Sequence, residues 1–412
     1  MTEWKTYRLG DICKRVCSGG TPKSTESTYY DGNIPWLNTK EINFNRIYST
    51  ERCITQKGLD NSSAKWIDAN CVIVAMYGAT AAKVAINKIP LTTNQACCNL
   101  SIDKKNADYH YVYYWLCANY TELASLANGG AQQNLNAQQI KDFEISLPSL
   151  EEQRRIAGIL SAIDDKIENN RRINTNLELQ AKALYKQWFV DFEFPNEEGK
   201  PYKSSGGKML DSELGPIPEE WSVIGYCDAV DIKGGGTPPT NKPEFWNGSI
   251  PFFTPKDVPS DCFAIHTEKS ITEAGLSNCN SKLYAKDTVF ITARGTVGKV
   301  VMAGCSMAMN QTNYALIGKN ELSQYFVYLL TIALVDRLLK KANGAVFNAI
   351  TTRDFEGEQI VYPANFVLGK FIDIISPLYQ QVLSIAKENE TLATLRDTLL
   401  PKLMNGEINV AE

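Results

Sequence analysis

The chain has 412 residues, 44% of them hydrophobic and 21% charged, with 42 Lys and Arg against 46 Asp and Glu for a net charge of −4. This composition excludes a mostly disordered chain, and the length allows two or three domains with cores of their own. No apolar run approaches the ~18–20 residues of a membrane span, and Met1-Thr2-Glu3-Trp4-Lys5 has neither the basic patch nor the apolar stretch of a signal peptide, so a cytoplasmic protein is expected.

Residues 1–148 alternate short β-type runs, such as Cys71-Val72-Ile73-Val74-Ala75, with the turn signals Gly-Gly-Thr-Pro and Asp-Gly-Asn. Near 108–127 the pattern turns helical: Tyr111, Tyr114, Trp115 and Ala118 fall at i, i+3, i+4, i+7. A mixed α/β domain is predicted. After Pro148 the character changes. Over 149–192 the positions Ile156, Leu160, Ile163, Ile167, Asn170, Asn174, Leu177, Ala181, Leu184 and Trp188 are spaced 4-3-4-3, a heptad seam. The stretch 193–220 is rich in Pro, Gly, Ser and charge and reads as a connector rather than core.

The chain then repeats itself. Residues 235–258 align with 19–42 without a gap, and eight positions are identical: Gly19/Gly235, Gly20/Gly236, Thr21/Thr237, Pro22/Pro238, Gly32/Gly248, Ile34/Ile250, Pro35/Pro251 and Lys40/Lys256. The same offset pairs Thr80 to Val84 with Thr296 to Val300, and Asn94-Gln95 with Asn310-Gln311. Ile54-Thr55 and Gly58-Leu59 match Ile271-Thr272 and Gly275-Leu276 one residue further on. A period this long gives two domains rather than a solenoid, the second spanning 221–363. The tail 364–412 repeats the seam with Phe371, Ile375, Leu378, Val382, Ile385, Asn389, Leu392, Arg396, Leu399 and Leu403; Pro377 fits it only where the regular helix starts or kinks. Two long helices, one per repeat, suit an antiparallel coiled coil. Asn170, Asn174 and Asn389 would fix its register if buried, or face solvent at a local break. Helices that pack only on their own domains are the alternative.

The predicted fold is α+β: two duplicated mixed domains joined by two long helices in an antiparallel coiled coil, with pseudo-twofold character. By segment, 1–148 carries net +2 and 221–363 net 0, whereas the connector carries −4. The domains are therefore neutral to slightly basic, which permits DNA as a partner without demanding it.

No enzyme signature emerges. The run Arg294-Gly295-Thr296-Val297-Gly298-Lys299-Val300 has its glycines too close for a phosphate-binding loop, and Val follows the Lys. His110 and His266 do not correspond in the repeat, so neither reads as a paired base. Asp164-Asp165-Lys166 reads as a solvated helix face. Eleven Cys, an odd number without a Cys-x-x-Cys pair, read as reduced thiols and not as a metal site or a disulfide framework. The repeated blocks instead hold groups suited to DNA. Lys40, Lys83, Lys256, Arg294 and Lys299 can meet phosphate or guanine, and Asn94, Gln95, Asn310 and Gln311 can pair with an adenine edge. Gly19, Gly20 and Thr21, with Gly235, Gly236 and Thr237, would bring backbone N–H groups to a phosphate, or simply form tight turns. Residues kept in both repeats cannot specify two different sequences, so base choice should lie where the halves differ.

Several stretches together resemble the specificity subunit of type I restriction-modification systems. They are Gly19-Gly20-Thr21-Pro22 with Ile34-Pro35-Trp36-Leu37, Thr93-Asn94-Gln95, Leu147-Pro148 leading into Glu151-Glu152-Gln153, Trp188-Phe189-Val190-Asp191-Phe192, Ser205 to Met209, Gly215 to Pro218 and Arg396 to Leu403. The resemblance runs end to end. It implies two target-recognition domains, each reading one half of a bipartite double-stranded DNA target, with the helices setting the spacing. It implies no catalysis and no cofactor in this chain. The partners it implies are two methyltransferase (M) subunits, which use S-adenosylmethionine, with restriction (R) subunits as an optional addition. Ala364-Asn365-Phe366 departs from the Leu-Glu-Glu-Gln run that opens the first helix, which leaves the start of the second helix open. An interaction protein that binds partner helices without reading DNA, and a fused methyltransferase or nuclease, are the competing readings.

Overall fold

A computed structural model describes residues 4–127, 134–341 and 349–410. The chain divides into two units, one of Met1–Lys166 with Leu392–Glu412 and one of Ile167–Thr391. In the first unit a five-stranded sheet runs in the order Cys13–Ser18, Cys97–Ile102, Val72–Ala75, Val84–Asn87, Asn45–Ile47. In the second unit the order is Val230–Gly234, Asn313–Gly318, Val289–Thr292, Val300–Ala303, Phe263–Ala264. Position for position this is the same sheet. Its central strand in each unit, Val72–Ala75 and Val289–Thr292, is apolar but for Thr292, and every residue of both is buried. That is the pattern of a strand covered on both faces.

A smaller sheet follows the same rule. Strand Tyr30–Leu37 pairs antiparallel with Arg52–Ile54 and parallel with Leu91–Thr93; strand Trp246–Phe253 pairs likewise with Lys269–Ile271 and Ala308–Met309. Residues with left-handed backbone also repeat: Asp31 with Asn247, Asn70 with Asp287, Ala82 with Gly298. Few non-glycine residues adopt that conformation, so its recurrence at matched positions shows that the duplication extends to turn geometry.

The long helices are Leu150–Tyr185, which closes with a π-helical turn at Lys186–Val190, and Asn365–Met404. The second helix begins at Asn365, twelve residues before Pro377, and runs through it. In the first unit Ile156, Ala157 and Leu160 share a core with Leu403 and Met404, and Leu399 is half-buried against it. Ile163 and Leu392 are half-buried. In the second unit Asn170 is buried and donates to Glu388 (2.8 Å) and to the amide oxygen of Asn389 (2.9 Å), and Asn174 donates to the Val382 carbonyl (3.2 Å). Ile167 and Val382 are buried, and Leu177, Leu184, Leu378 and Ile385 are half-buried. Within each unit the partner's number falls as the helix residue's number rises, so the segments pair antiparallel.

The helices are wider than a two-position seam. Tyr379, Leu383 and Ala386 are buried beside the heptad positions, and Phe371, Ile375 and Tyr379 enter the core of the second unit. Each helix segment therefore packs both on the other helix and on its own domain, which requires a broader apolar stripe.

Two sequence readings change. Asp164 is not on a solvated face. Its carboxylate accepts from the Tyr114 hydroxyl (2.5 Å) and from Arg396 (2.9 Å), and its side chain is 14% exposed. Asp165 pairs with Arg46. The 193–220 stretch is not merely a connector. Phe194 and Ile217 are buried in the core of the second unit; Phe194 stacks on Tyr202 and on Trp221, with ring centroids 4.5 and 5.0 Å apart. Its polar composition conceals a few aromatic anchors that fold it back onto the domain.

Candidate nucleic-acid interface

In each unit the repeated motifs meet at one end of the main sheet. The Gly-Gly-Thr-Pro loop follows the edge strand, and Asn-Gln precedes the neighbouring strand. The Thr21 hydroxyl contacts the Gln95 amide oxygen, and the Thr237 hydroxyl contacts the Gln311 amide oxygen in the same way. Thr21, Gln95 and Gln311 are exposed and Thr237 is half-buried. The neighbouring asparagines do a different job. Asn94 is buried and its side-chain oxygen accepts from the Ala96 backbone N–H (3.1 Å), and Asn310 accepts from Thr312 N–H (3.1 Å). Their backbone N–H groups reach Leu37 and Phe253, matched positions, at 3.0 Å. The Asn holds the turn; the Gln beside it is displayed.

The paired glycines are packing positions. A Cβ at Gly19 or Gly20 would overlap the backbone of Thr93 or Ala64, and one at Gly235 or Gly236 would overlap that of Asn310 or Asn280. The Gly20 and Gly236 N–H groups donate to the carbonyls of Thr93 (2.9 Å) and Met309 (3.1 Å). Glycine is required because two segments of backbone run side by side there, and these two N–H groups bond within the fold.

The cations divide. Lys40 pairs with Glu51, Lys256 stands 4.0 Å from Glu268, and Lys83 donates to Asn43 (2.8 Å). Arg294 and Lys299 are exposed and make no ion pair among the described residues.

The backbone realigns one pair that the sequence misplaced. Met76 N–H bonds to Ala96 O (2.8 Å) and Leu135 N–H to Met76 O (2.8 Å); Ala293 N–H bonds to Thr312 O and Ile350 N–H to Ala293 O (both 2.9 Å). Tyr77 bridges Asn134, and Arg294 bridges Ala349. A left-handed glycine follows each, Gly78 and Gly295. Arg294 is therefore the counterpart of Tyr77, whereas the offset that pairs Thr80 with Thr296 would set it against Gly78. The loop after it is one residue shorter in the second unit. Tyr77, 43% exposed, is a candidate residue that sequence reasoning passed over. The one-residue change of offset between Leu59/Leu276 and Thr80/Thr296 was the signal for it.

Burial shifts several of the thiols and one of the two imidazoles. Burial pushes the thiol of Cys71 up to about 11 and those of Cys13 and Cys98 up to about 12, and all eleven cysteines are free. Burial, reinforced by the Lys88 ammonium, lowers His110 to about 4. His266 lies on the surface, 2.8 Å from Glu390. Among the described residues no group of three or more His, Cys, Asp or Glu could hold a metal ion, and no helix is long and apolar enough to cross a membrane.

The fold and its paired loops define a duplicated, two-unit protein whose halves display one common loop cluster. Known proteins share this organisation. The family described as type I restriction modification DNA specificity domain matches residues 1–179 and 218–394. The MjaIX specificity subunit of Methanocaldococcus jannaschii is 31% identical over 420 residues, spanning 100% of this chain and 94% of that one. The HindI specificity subunit of Haemophilus influenzae is 24% identical, over 99% of this chain and 100% of that one. A solved S subunit from M. genitalium covers 98% of this chain and 96% of its own at a TM-score of 0.58 and 18% identity, a likeness of fold. The chain belongs to the family of type I restriction-modification specificity subunits.

Proposed function

We propose that this subunit reads a bipartite double-stranded DNA target. Residues 1–148 take one half-site and 221–363 the other. The long helices set the distance between half-sites and dock two methyltransferase subunits, to which restriction subunits can be added. The chain itself carries no catalysis and works in the cytoplasm. The observation that carries this reading is the recurrence in both units of one cluster, Thr21 with Gln95 and Thr237 with Gln311, whose glutamines are exposed, each on a turn held by a buried or half-buried Asn. Amide and hydroxyl groups held at a sheet end are suited to base edges and phosphates.

Because the recognition domains carry net +2 and 0, the cationic surface for nonspecific phosphate binding comes mainly from partners. The full chain with its methyltransferase partner is expected to protect one split site in a footprint, and exchange of residues 1–148 for another such domain to change one half-site only. A single continuous footprint, or a change in both half-sites, contradicts the proposal.

A further inference from the structure

Thr21/Thr237 and Gln95/Gln311 are the same in both units, so they cannot make the two units read different sequences. The discriminating position has to share the scaffold and differ in side chain. The ladder between the two central strands identifies one. In the first unit Cys97 faces Ala75, and Met76 bonds to Ala96. Carried one step into the turn, that register would bring Tyr77 towards Gln95. In the second unit Asn313 faces Thr292, and Ala293 bonds to Thr312; the same step would bring Arg294 towards Gln311.

The backbone at this position is pinned alike in both units. It is bridged to Asn134 or Ala349, preceded by two ladder bonds and followed by a left-handed glycine. Both side chains are exposed, and Arg294 makes no ion pair among the described residues. The backbone fixes where the side chain starts, and the unengaged side chain is free to meet a base, at the cost of ordering its own rotamers on binding. The change from a neutral aromatic to a guanidinium is a change of recognition chemistry on an otherwise constant frame.

We propose that 77 and 294 are the base-reading positions of the two units, and that Arg294 recognises a guanine in the half-site of the second unit through its two-pronged donor face. A guanidinium meets the O6 and N7 acceptors of guanine in the major groove with two parallel hydrogen bonds. Tyr77, with one hydroxyl, cannot form that fork, so the first half-site is read differently at the matching base. This inference rests on the proposed DNA-reading function.

The test is selection of a random-sequence duplex library by the full chain with co-expressed methyltransferase subunit, comparing wild type, R294A, R294K and Y77A at matched melting temperature. The wild-type motif should contain a guanine in one half-site that R294A relaxes, with discrimination falling about 10- to 100-fold, and that R294K relaxes less, since an ammonium can still donate to O6 and N7 without the fixed fork. The other half-site should stay unchanged. Y77A should relax one position of the opposite half-site. R294K keeps the charge, so a partial loss of the guanine preference with little loss of overall affinity separates base reading from phosphate binding. If R294A weakens all sequences equally, flattening the salt dependence by about one phosphate contact, Arg294 is a phosphate contact and the inference fails while the bipartite reading stands. A wild type that selects no split motif removes both.

Discussion

Replacing Asp164 with alanine withdraws one carboxylate from two partners inside the first unit. Tyr114 is buried and its hydroxyl donates to Asp164 at 2.5 Å; Arg396 donates to it at 2.9 Å. Without an acceptor the Tyr114 hydroxyl is left desolvated, which costs about 1–3 kcal/mol. Arg396 loses less. Its side chain is 29% exposed and it keeps Asp397 at 2.8 Å. The ~3–5 kcal/mol of an orphaned buried charge therefore does not apply in full, and we expect about 2–3 kcal/mol in total. Asp164→Asn, which keeps an acceptor oxygen but no charge, should cost about 1 kcal/mol. Hydrogen exchange resolves the effect by segment. Peptides from Tyr109–Ala118 and from the C-terminal part of the second long helix should lose protection, with peptides from the Asn313–Gly318 strand as the control. Unchanged exchange around Tyr114 in Asp164→Ala would refute the reasoning and return Asp164 to the role of a solvated surface charge.

Two other outcomes follow from the same kind of geometry. Gly20→Ala should destabilise by about 3 kcal/mol, because the new Cβ overlaps backbone rather than a side chain that can swing away, whereas Gly369→Ala, on an exposed helical position with open space around it, should stabilise by about 0.5–1 kcal/mol; paired thermal melts check both signs. His110 should titrate near pH 4 by NMR rather than near its ordinary 6.5. Its folded-state value is depressed, so the stability it contributes is present above pH 6.5 and declines as pH falls from there towards 4; a midpoint between 6 and 7 in the folded protein would contradict the burial assigned to it.

The parts of this fold legible in the sequence were those carried by periodicity and repetition. A gapless block of eight identities and a 4-3 spacing over five turns survive any local detail, so two domains and two helices could be read directly. What could not be read depends on which atoms meet. Asp164 looks like any charged helix residue until Tyr114 and Arg396 are brought to it from 50 and 232 residues away. The aromatic anchors of 193–220 were outvoted by their polar neighbours. Tyr77 was hidden by a single-residue change of offset, because alignment by identity follows Thr80 while the ladder follows the hydrogen bonds. The paired glycines were read from the repeated motif as either a phosphate cradle or a tight turn; only the proximity of Thr93 and Ala64 reveals them as a spacing requirement between backbone segments.

The first unit takes its last structural pieces from the far end of the chain. Leu403 and Met404 are buried in the same core as Leu9, Ile12 and Ile156. On a ribosome, every segment of the second unit has therefore been made before the first unit can close. The half translated earliest must wait, partly assembled, with an apolar groove along Ile156 and Leu160 uncovered. Synthesis that stops short of Leu403 would leave that groove open for chaperones and proteases. The order of translation thus becomes a checkpoint: a finished first unit certifies that the C-terminal helix has been made.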